Sequence, residues 1–221
     1  MIELLKYEFL EVINAMRRGD APEWITTPHV RFEDIADYTF DVDDPKNHVQ
    51  TIKCSFGTGT ASYVNGKSNN TYQLRFVCYD DYLHQFIFDD GIGHTDKSIL
   101  KHHTRMADFI VYDTSENNVW IIIHELSKGD VNNKRNRGRV QLATTIEMLN
   151  RSKNIKKFIE NFTNKWCVLS ARDERVLHTP CGMADAFMNA YTILPEPMKF
   201  QFGAMKRLDF WGYETSKVIL I

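Results

Sequence analysis

The chain lacks any long apolar run. Its longest uninterrupted stretch, Val119 to Ile123, covers five residues, against the roughly 20 needed to cross a bilayer, so no membrane-spanning helix is expected. Cysteine is scarce. Cys54, Cys78, Cys167 and Cys181 form no CxxC pair, which argues against a structural zinc site. Three of them sit beside large apolar or aromatic residues, the setting of reduced, buried thiols in a reducing, cytoplasmic compartment. The amino-terminal stretch MIELLKYEFLEVINAMRRGD carries acids from Glu3 onward and lacks a small-residue cleavage site, so it reads as an amphipathic helix and not as a signal peptide. No phosphate loop is present: Asp89 to Thr95, DDGIGHT, has Gly91 and Gly93 but no following Lys-Ser/Thr. No nucleophile-elbow pattern surrounds Ser127. There is no internal repeat and no low-complexity linker. Nor is there a global excess of one charge: 27 basic and 29 acidic residues leave a net −2.

What is there is a globular composition, 43% hydrophobic and 25% charged over 221 residues, suited to a single domain over 1–221. The charge is unevenly spread. From Lys128 to Lys165 stand ten basic residues and three acids, whereas Glu33 to Asp44 holds six acids and no base. A local excess of +7 suits a polyanion, because phosphates reward Lys and Arg through counterion release; a solvated helical face explains it equally well. The acidic stretch offers a docking surface in a larger assembly.

Spacing divides the chain into elements. Ile2, Leu5, Phe9, Ile13 and Met16 recur every three or four residues, predicting a helix over 2–18. Residues 20–48 hold three of the six prolines and read as a mostly irregular connection. Strands are predicted at Val49–Phe56, Thr71–Tyr79 and Leu83–Phe88, with Asp80 and Asp81 as a tight hairpin between the last two. Met106–Tyr112 and Val119–Leu126 form a second hairpin, closed by the polar turn DTSENN. Helical periodicity returns at Arg137–Leu149 and at Asn154–Phe162. A buried strand follows at Trp166–Ser170, a helix after Pro180, and one or two strands from Met198.

The chemistry gathers on the second hairpin. Alternation places Asp108 on one face with Ile110 and Tyr112, and Glu125 on one face with Val119, Ile121 and Ile123. An acid ending an apolar face is costly to bury without a partner. Two such acids on adjacent strands can converge and bind a hard divalent cation. The bland alternatives are a turn cap for Asp108 and an ion pair with Lys128 or Arg139 for Glu125. Asp89 and Asp90 are candidates for a third carboxylate. His124 falls on the opposite face and reads as a core histidine; a zinc site from His94, His102 and His124 has no recognised spacing.

Asp108, Glu125, the basic helix with Arg137, Arg139 and Gln141, and the strand near Trp166–Ser170 together resemble the PD-(D/E)XK nuclease superfamily, over roughly residues 84–171. The resemblance implies an α/β (mixed α+β) fold with a central mixed β-sheet flanked by helices: a restriction-endonuclease-like core with extra strands, the helix 2–18 packed on it and a helix and strands over 180–221. It implies metal-dependent hydrolysis of phosphodiester bonds in nucleic acid, DNA ahead of RNA, without a membrane partner and with a homodimer as one option. Asp108 and Glu125 would hold Mg²⁺ or Mn²⁺, Lys128 would complete the catalytic set, and Lys134, Arg135, Arg137, Arg139 and Gln141 would contact nucleic acid. Glu8 or Glu11 of the first helix could add a carboxylate. The family pattern departs at one place: Ser127 stands where lysine is expected and Lys128 follows it. A β-bulge, or a strand ending at Leu126, would return Lys128 to the face of Glu125; Lys134 or Arg139 could supply the charge instead. The alternative is a catalytically degenerate module of the same fold that binds nucleic acid or protein.

Overall fold

The computed structural model describes residues 1–16, 27–43, 52–53, 57, 59–88, 97–98, 106–128, 131–172 and 198–221. The amino-terminal stripe folds as one helix, α1, wound as π-helix over Leu4–Phe9 and as α-helix over Leu10–Ala15. Leu5, Phe9 and Ile13, one helical face, are fully buried, each contributing about 1.5–3 kcal/mol by leaving water.

A seven-stranded mixed sheet forms the centre. Its order is β1 (Phe32–Ile35), β5 (Leu74–Cys78), β8 (Phe109–Asp113), β9 (Trp120–Lys128), β10 (Asn164–Arg172), β12 (Trp211–Glu214) and β11 (Met198–Phe200). Strands β5, β8 and β9 run antiparallel, while β10 runs parallel to both β9 and β12. Between β9 and β10 the chain crosses over through α3 (Val131–Leu149) and α4 (Lys153–Glu160), as a parallel pair requires. A four-stranded sheet, β13 (Lys217–Leu220), β4 (Ala61–Asn65), β2 (Thr39–Val42) and β3 (Ile52–Lys53), packs on the other face. A small pair, β6 (Ile87–Phe88) and β7 (Lys97–Ser98), completes the strands. Two shorter helices are α2 (Tyr79–His84) and α5 (Gly203–Arg207). The architecture is the expected mixed α/β class.

Strand alternation sorts the core into two layers. Ile110, Tyr112, Ile121, Ile123, Cys167 and Leu169 pack against α1, α3 and α4. Phe109, Val111, Trp120, Ile122, Leu126 and Val168 pack toward the smaller sheet and meet Phe40, Tyr63 and Val218. Val119 packs with this second layer and not with Ile121 and Ile123, because it precedes the strand.

Several local expectations are corrected. Asp80 and Asp81 begin α2 instead of turning a hairpin. Tyr79 and Tyr82 are buried at helical spacing against Phe9, with buried Phe86 packed on Tyr82, and burial of that aromatic face outweighs the turn propensity of the acids. Leu83–Phe88 is accordingly no strand beyond Ile87–Phe88. The connection expected over 20–48 contains β1 and β2. Its acids are used within the fold. Asp34 pairs with Arg75 at 2.6 Å, and buried Asp41 accepts hydrogen bonds from the amides of Gly57 and Gly59 and from the Ser62 hydroxyl. Asp43 accepts from the Thr60 amide and hydroxyl. The helix expected after Pro180 lies outside the described residues.

Candidate active site

The register of β8 on β9 pairs Phe109 with His124 and Ile110 with Ile123. The ladder ends at the Phe109–His124 pair; Asp108 directly precedes the one and Glu125 directly follows the other, so the two acids flank the last rung and begin a row at this end of the hairpin. Parallel pairing continues the row: Glu125 lies beside Leu169, and Leu169 beside Glu214. This row marks one end of the sheet, on the face covered by α3.

Asp108 is held from several sides. Its carboxylate accepts the Leu126 amide at 2.6 Å, one residue past Glu125. Its carbonyl accepts the Tyr79 and Asp80 amides at the start of α2, at 2.8 and 3.2 Å. Glu125 is only 7% exposed. Helix α3 crosses above the row. The Gln141 side-chain amide donates to the Met106 carbonyl, and the Thr145 hydroxyl accepts the Ala107 amide. Gly138 stands over Leu169, where a Cβ would meet the Leu169 methyl at 2.6 Å. At the far end of the row, Glu214 is gripped by Arg135 and Arg139, and Arg139 also lies over the Phe200 ring at 4.7 Å.

The residues expected to contact nucleic acid therefore divide. Arg135 and Arg139 are engaged with Glu214, and Gln141 with the strand segment before Asp108. Arg137 is exposed on α3. The side chains of Lys128 and Lys134 lie outside the described residues, as do Asp89, Asp90, His94, His102 and His103. The backbone at Lys128 is informative. Pairing between β9 and β10 runs in constant register from Trp120 to Lys128, so the strand neither ends at Leu126 nor bulges against β10. Ser127, 9% exposed, keeps the alternation that Glu125 began. Glu8 is also away from the row: it accepts hydrogen bonds from Ser152 and Asn154 at the start of α4.

Other charged groups near the row were not foreseen. Arg31 pairs with Asp81 at 2.7 Å and approaches Glu33 at 3.7 Å. Both acids, like Asp108, act on the Cys78 thiol, which burial foremost pushes up to about 12 and so makes unsuitable as a nucleophile. The helical spacing of Tyr79, Tyr82 and Phe86 was the available signal for Asp81, since it places that acid in the first turn of a helix.

His124 is a core residue, as expected. Tyr63 and His124 are wholly buried. The Ser170 hydroxyl donates its proton to the Thr215 carbonyl at 2.6 Å, so toward the imidazole it can only accept. His124 Nε2 then donates to Ser170 at 2.8 Å, and Nδ1 accepts the Tyr63 hydroxyl at 2.7 Å. Both ring nitrogens are committed, which removes His124 from any zinc site. Burial lowers its pKa to about 3, keeping it neutral near pH 7.

For a metal, Asp108 and Glu125 are the candidate hard oxygen donors. Among the described residues no group of three or more His, Cys, Asp or Glu side chains is arranged to hold an ion. The pair fits a site of the magnesium kind, in which one or two carboxylates serve while waters and substrate phosphate fill the other positions. Among the described residues no helix is long and apolar enough to cross a membrane. No family model, no curated protein and no solved structure matches the chain.

Proposed function

We propose that the chain is a metal-dependent phosphodiester hydrolase of the PD-(D/E)XK type, acting on nucleic acid, with DNA as the first substrate to test. The observation that carries this reading is that Asp108 and Glu125 flank the last rung of the β8–β9 hairpin, with the Asp108 carboxylate on the Leu126 amide, one residue past Glu125. The connectivity supports it: α1, the antiparallel strands β5, β8 and β9, then α3 and α4, and β10 parallel to β9 follow one another in chain order, with β1 to β4 inserted before β5 and α2, β6 and β7 before β8. Asp108 and Glu125 would hold Mg²⁺ or Mn²⁺. When bound, such an ion lowers the pKa of a water and offsets charge developing on the phosphate. The Leu126 amide fixes one Asp108 oxygen. Ser127 can orient a water by hydrogen bonding but carries no positive charge, and the regular register leaves residue 128 on the opposite strand parity from Glu125, so that role falls to Lys134 or exposed Arg137. The buried free thiols Cys78 and Cys167 agree with a reducing, cytoplasmic setting.

A second reading, a catalytically silent module on the same scaffold, is favoured by one observation: β9 runs in regular register through Ser127, where the family has its lysine. The two readings separate in one experiment. Purified protein is incubated with circular and linear DNA and with RNA in Mn²⁺, beside Asp108→Asn and Glu125→Gln variants. The nuclease reading expects cleavage that each variant reduces by about 10²–10³-fold, the scale on which single preorganised electrostatic groups act. Absence of cleavage by the folded wild-type protein supports the silent module; equal cleavage by the variants refutes the site.

A further inference from the structure

The segment that delivers Asp108 is not part of the sheet. Strand β8 begins at Phe109, so the polar backbone groups of residues 106–108 cannot rely on a strand partner and need others. Helix α3 supplies them at the Met106 carbonyl and the Ala107 amide, while the start of α2 serves the Asp108 carbonyl. The buried Thr145 hydroxyl accepts the Ala107 amide at 2.8 Å and gives its own proton to the Gln141 carbonyl at 2.9 Å, one turn back in the helix. The Gln141 side chain in turn donates to the Met106 carbonyl at 3.2 Å. Two consecutive residues immediately before Asp108 are thus held by adjacent turns of one helix, which also rests on Leu169 through Gly138.

We infer that Thr145 is a positioning residue for the metal-binding carboxylate: by fixing the Ala107 amide it holds the Asp108 carboxylate against the Leu126 amide, one residue past Glu125. The inference rests on the proposed metal site. Thr145 touches neither the metal nor the substrate and acts through the backbone at Ala107. Its hydroxyl gives its one proton to the Gln141 carbonyl of α3 and accepts the Ala107 amide, one bond on each side of the contact between the helix and the segment before β8. An apolar residue of the same shape would keep the packing and lose the hold. The chemistry is that of a partner behind a ligating carboxylate, whose loss typically weakens metal binding 10–100-fold.

The test compares wild type with Thr145→Val, which preserves shape, and Thr145→Ser, which preserves the hydroxyl. Two quantities are read: Mn²⁺ affinity by calorimetry, and hydrogen exchange at the Leu126 amide, whose acceptor is the Asp108 carboxylate. The expected result is a Mn²⁺ affinity at least about tenfold weaker in the valine variant, faster exchange at Leu126, and return of both toward wild type in the serine variant. Unchanged Leu126 exchange and Mn²⁺ affinity in Thr145→Val would overturn the inference. So would a serine variant as impaired as valine, since that identifies packing and not the hydroxyl as the cause. If wild type binds no Mn²⁺, the metal reading fails by itself; Leu126 exchange then still decides whether Thr145 places Asp108.

Discussion

Replacing His124 with glutamine should flatten the acid limb of the stability curve. In the folded protein the imidazole is enclosed between the Tyr63 hydroxyl and Ser170, with no exposed surface. Burial lowers its pKa from 6.5 to about 3, because a charged ring there would give up its hydration. In the unfolded chain the same ring titrates near 6.5. Between these values the unfolded state binds the proton and the folded state does not, so stability falls as pH drops through that window. The contribution is complete above pH 6.5, and once the folded state also protonates, near pH 3, no further loss arises. At about 1.4 kcal/mol per pH unit, this one residue removes about 4–5 kcal/mol across the window. That is a large share of the 5–15 kcal/mol by which domains are commonly stable. Urea unfolding followed at half-unit steps from pH 7.5 to 4 measures it. His124→Gln loses hydrogen bonding within the network and should be less stable at pH 7 by about 1–3 kcal/mol. Between pH 6 and 4 its stability should fall less steeply than that of wild type, by about 1.4 kcal/mol per pH unit, since all carboxylate contributions are common to both proteins. Parallel profiles for the two proteins would refute the reasoning. Nitrogen NMR of the wild-type ring checks the same point without a variant: the neutral Nε2–H form should persist to pH 4, and protonation near 6 would be the opposing result.

Two further outcomes follow from the same structure. Glu214→Gln removes the charge that Arg135 and Arg139 share; thermal unfolding should show a loss of about 1.5–3 kcal/mol, the usual worth of a charge-assisted hydrogen bond, while duplex DNA binding becomes more salt-dependent, by up to about two in the slope of log K against log salt if both arginines reach phosphates. Gly212→Ala would drive a Cβ into the Phe200 ring and should cost about 1–3 kcal/mol through overpacking, read in urea; a neutral result would show that the ring moves freely.

Much of the central scaffold was legible because its signals are local. The stripe Leu5, Phe9, Ile13 specified α1, and the unbroken apolar runs FIVY and WIII specified β8 and β9, which are buried on both sides. From there the placing of Asp108 and Glu125 beside the last rung of the hairpin required only that the two strands pair without a slip. The misread segments are those in which polar residues answer to distant partners. Asp34 and Asp41 look like loop residues until Arg75 and the Gly57–Gly59 amides are placed beside them, and Asp80–Asp81 looks like a turn until Phe9 packs against Tyr79 and Tyr82.

The same distinction decides how the basic segment should be read. Ten basic residues against three acids is a property of the sequence, but the field they offer a polyanion depends on what the fold sets next to them. Glu214, 75 residues beyond Arg139 in the chain, comes to lie beside it because β12 is the parallel neighbour of β10. That one carboxylate takes up two of the five residues expected to meet nucleic acid, and Gln141, a third, is committed to the Met106 carbonyl. These three tie α3 to the two ends of the row that contains Asp108 and Glu125. Their side chains accordingly do more to hold the helix over the sheet than to hold a ligand.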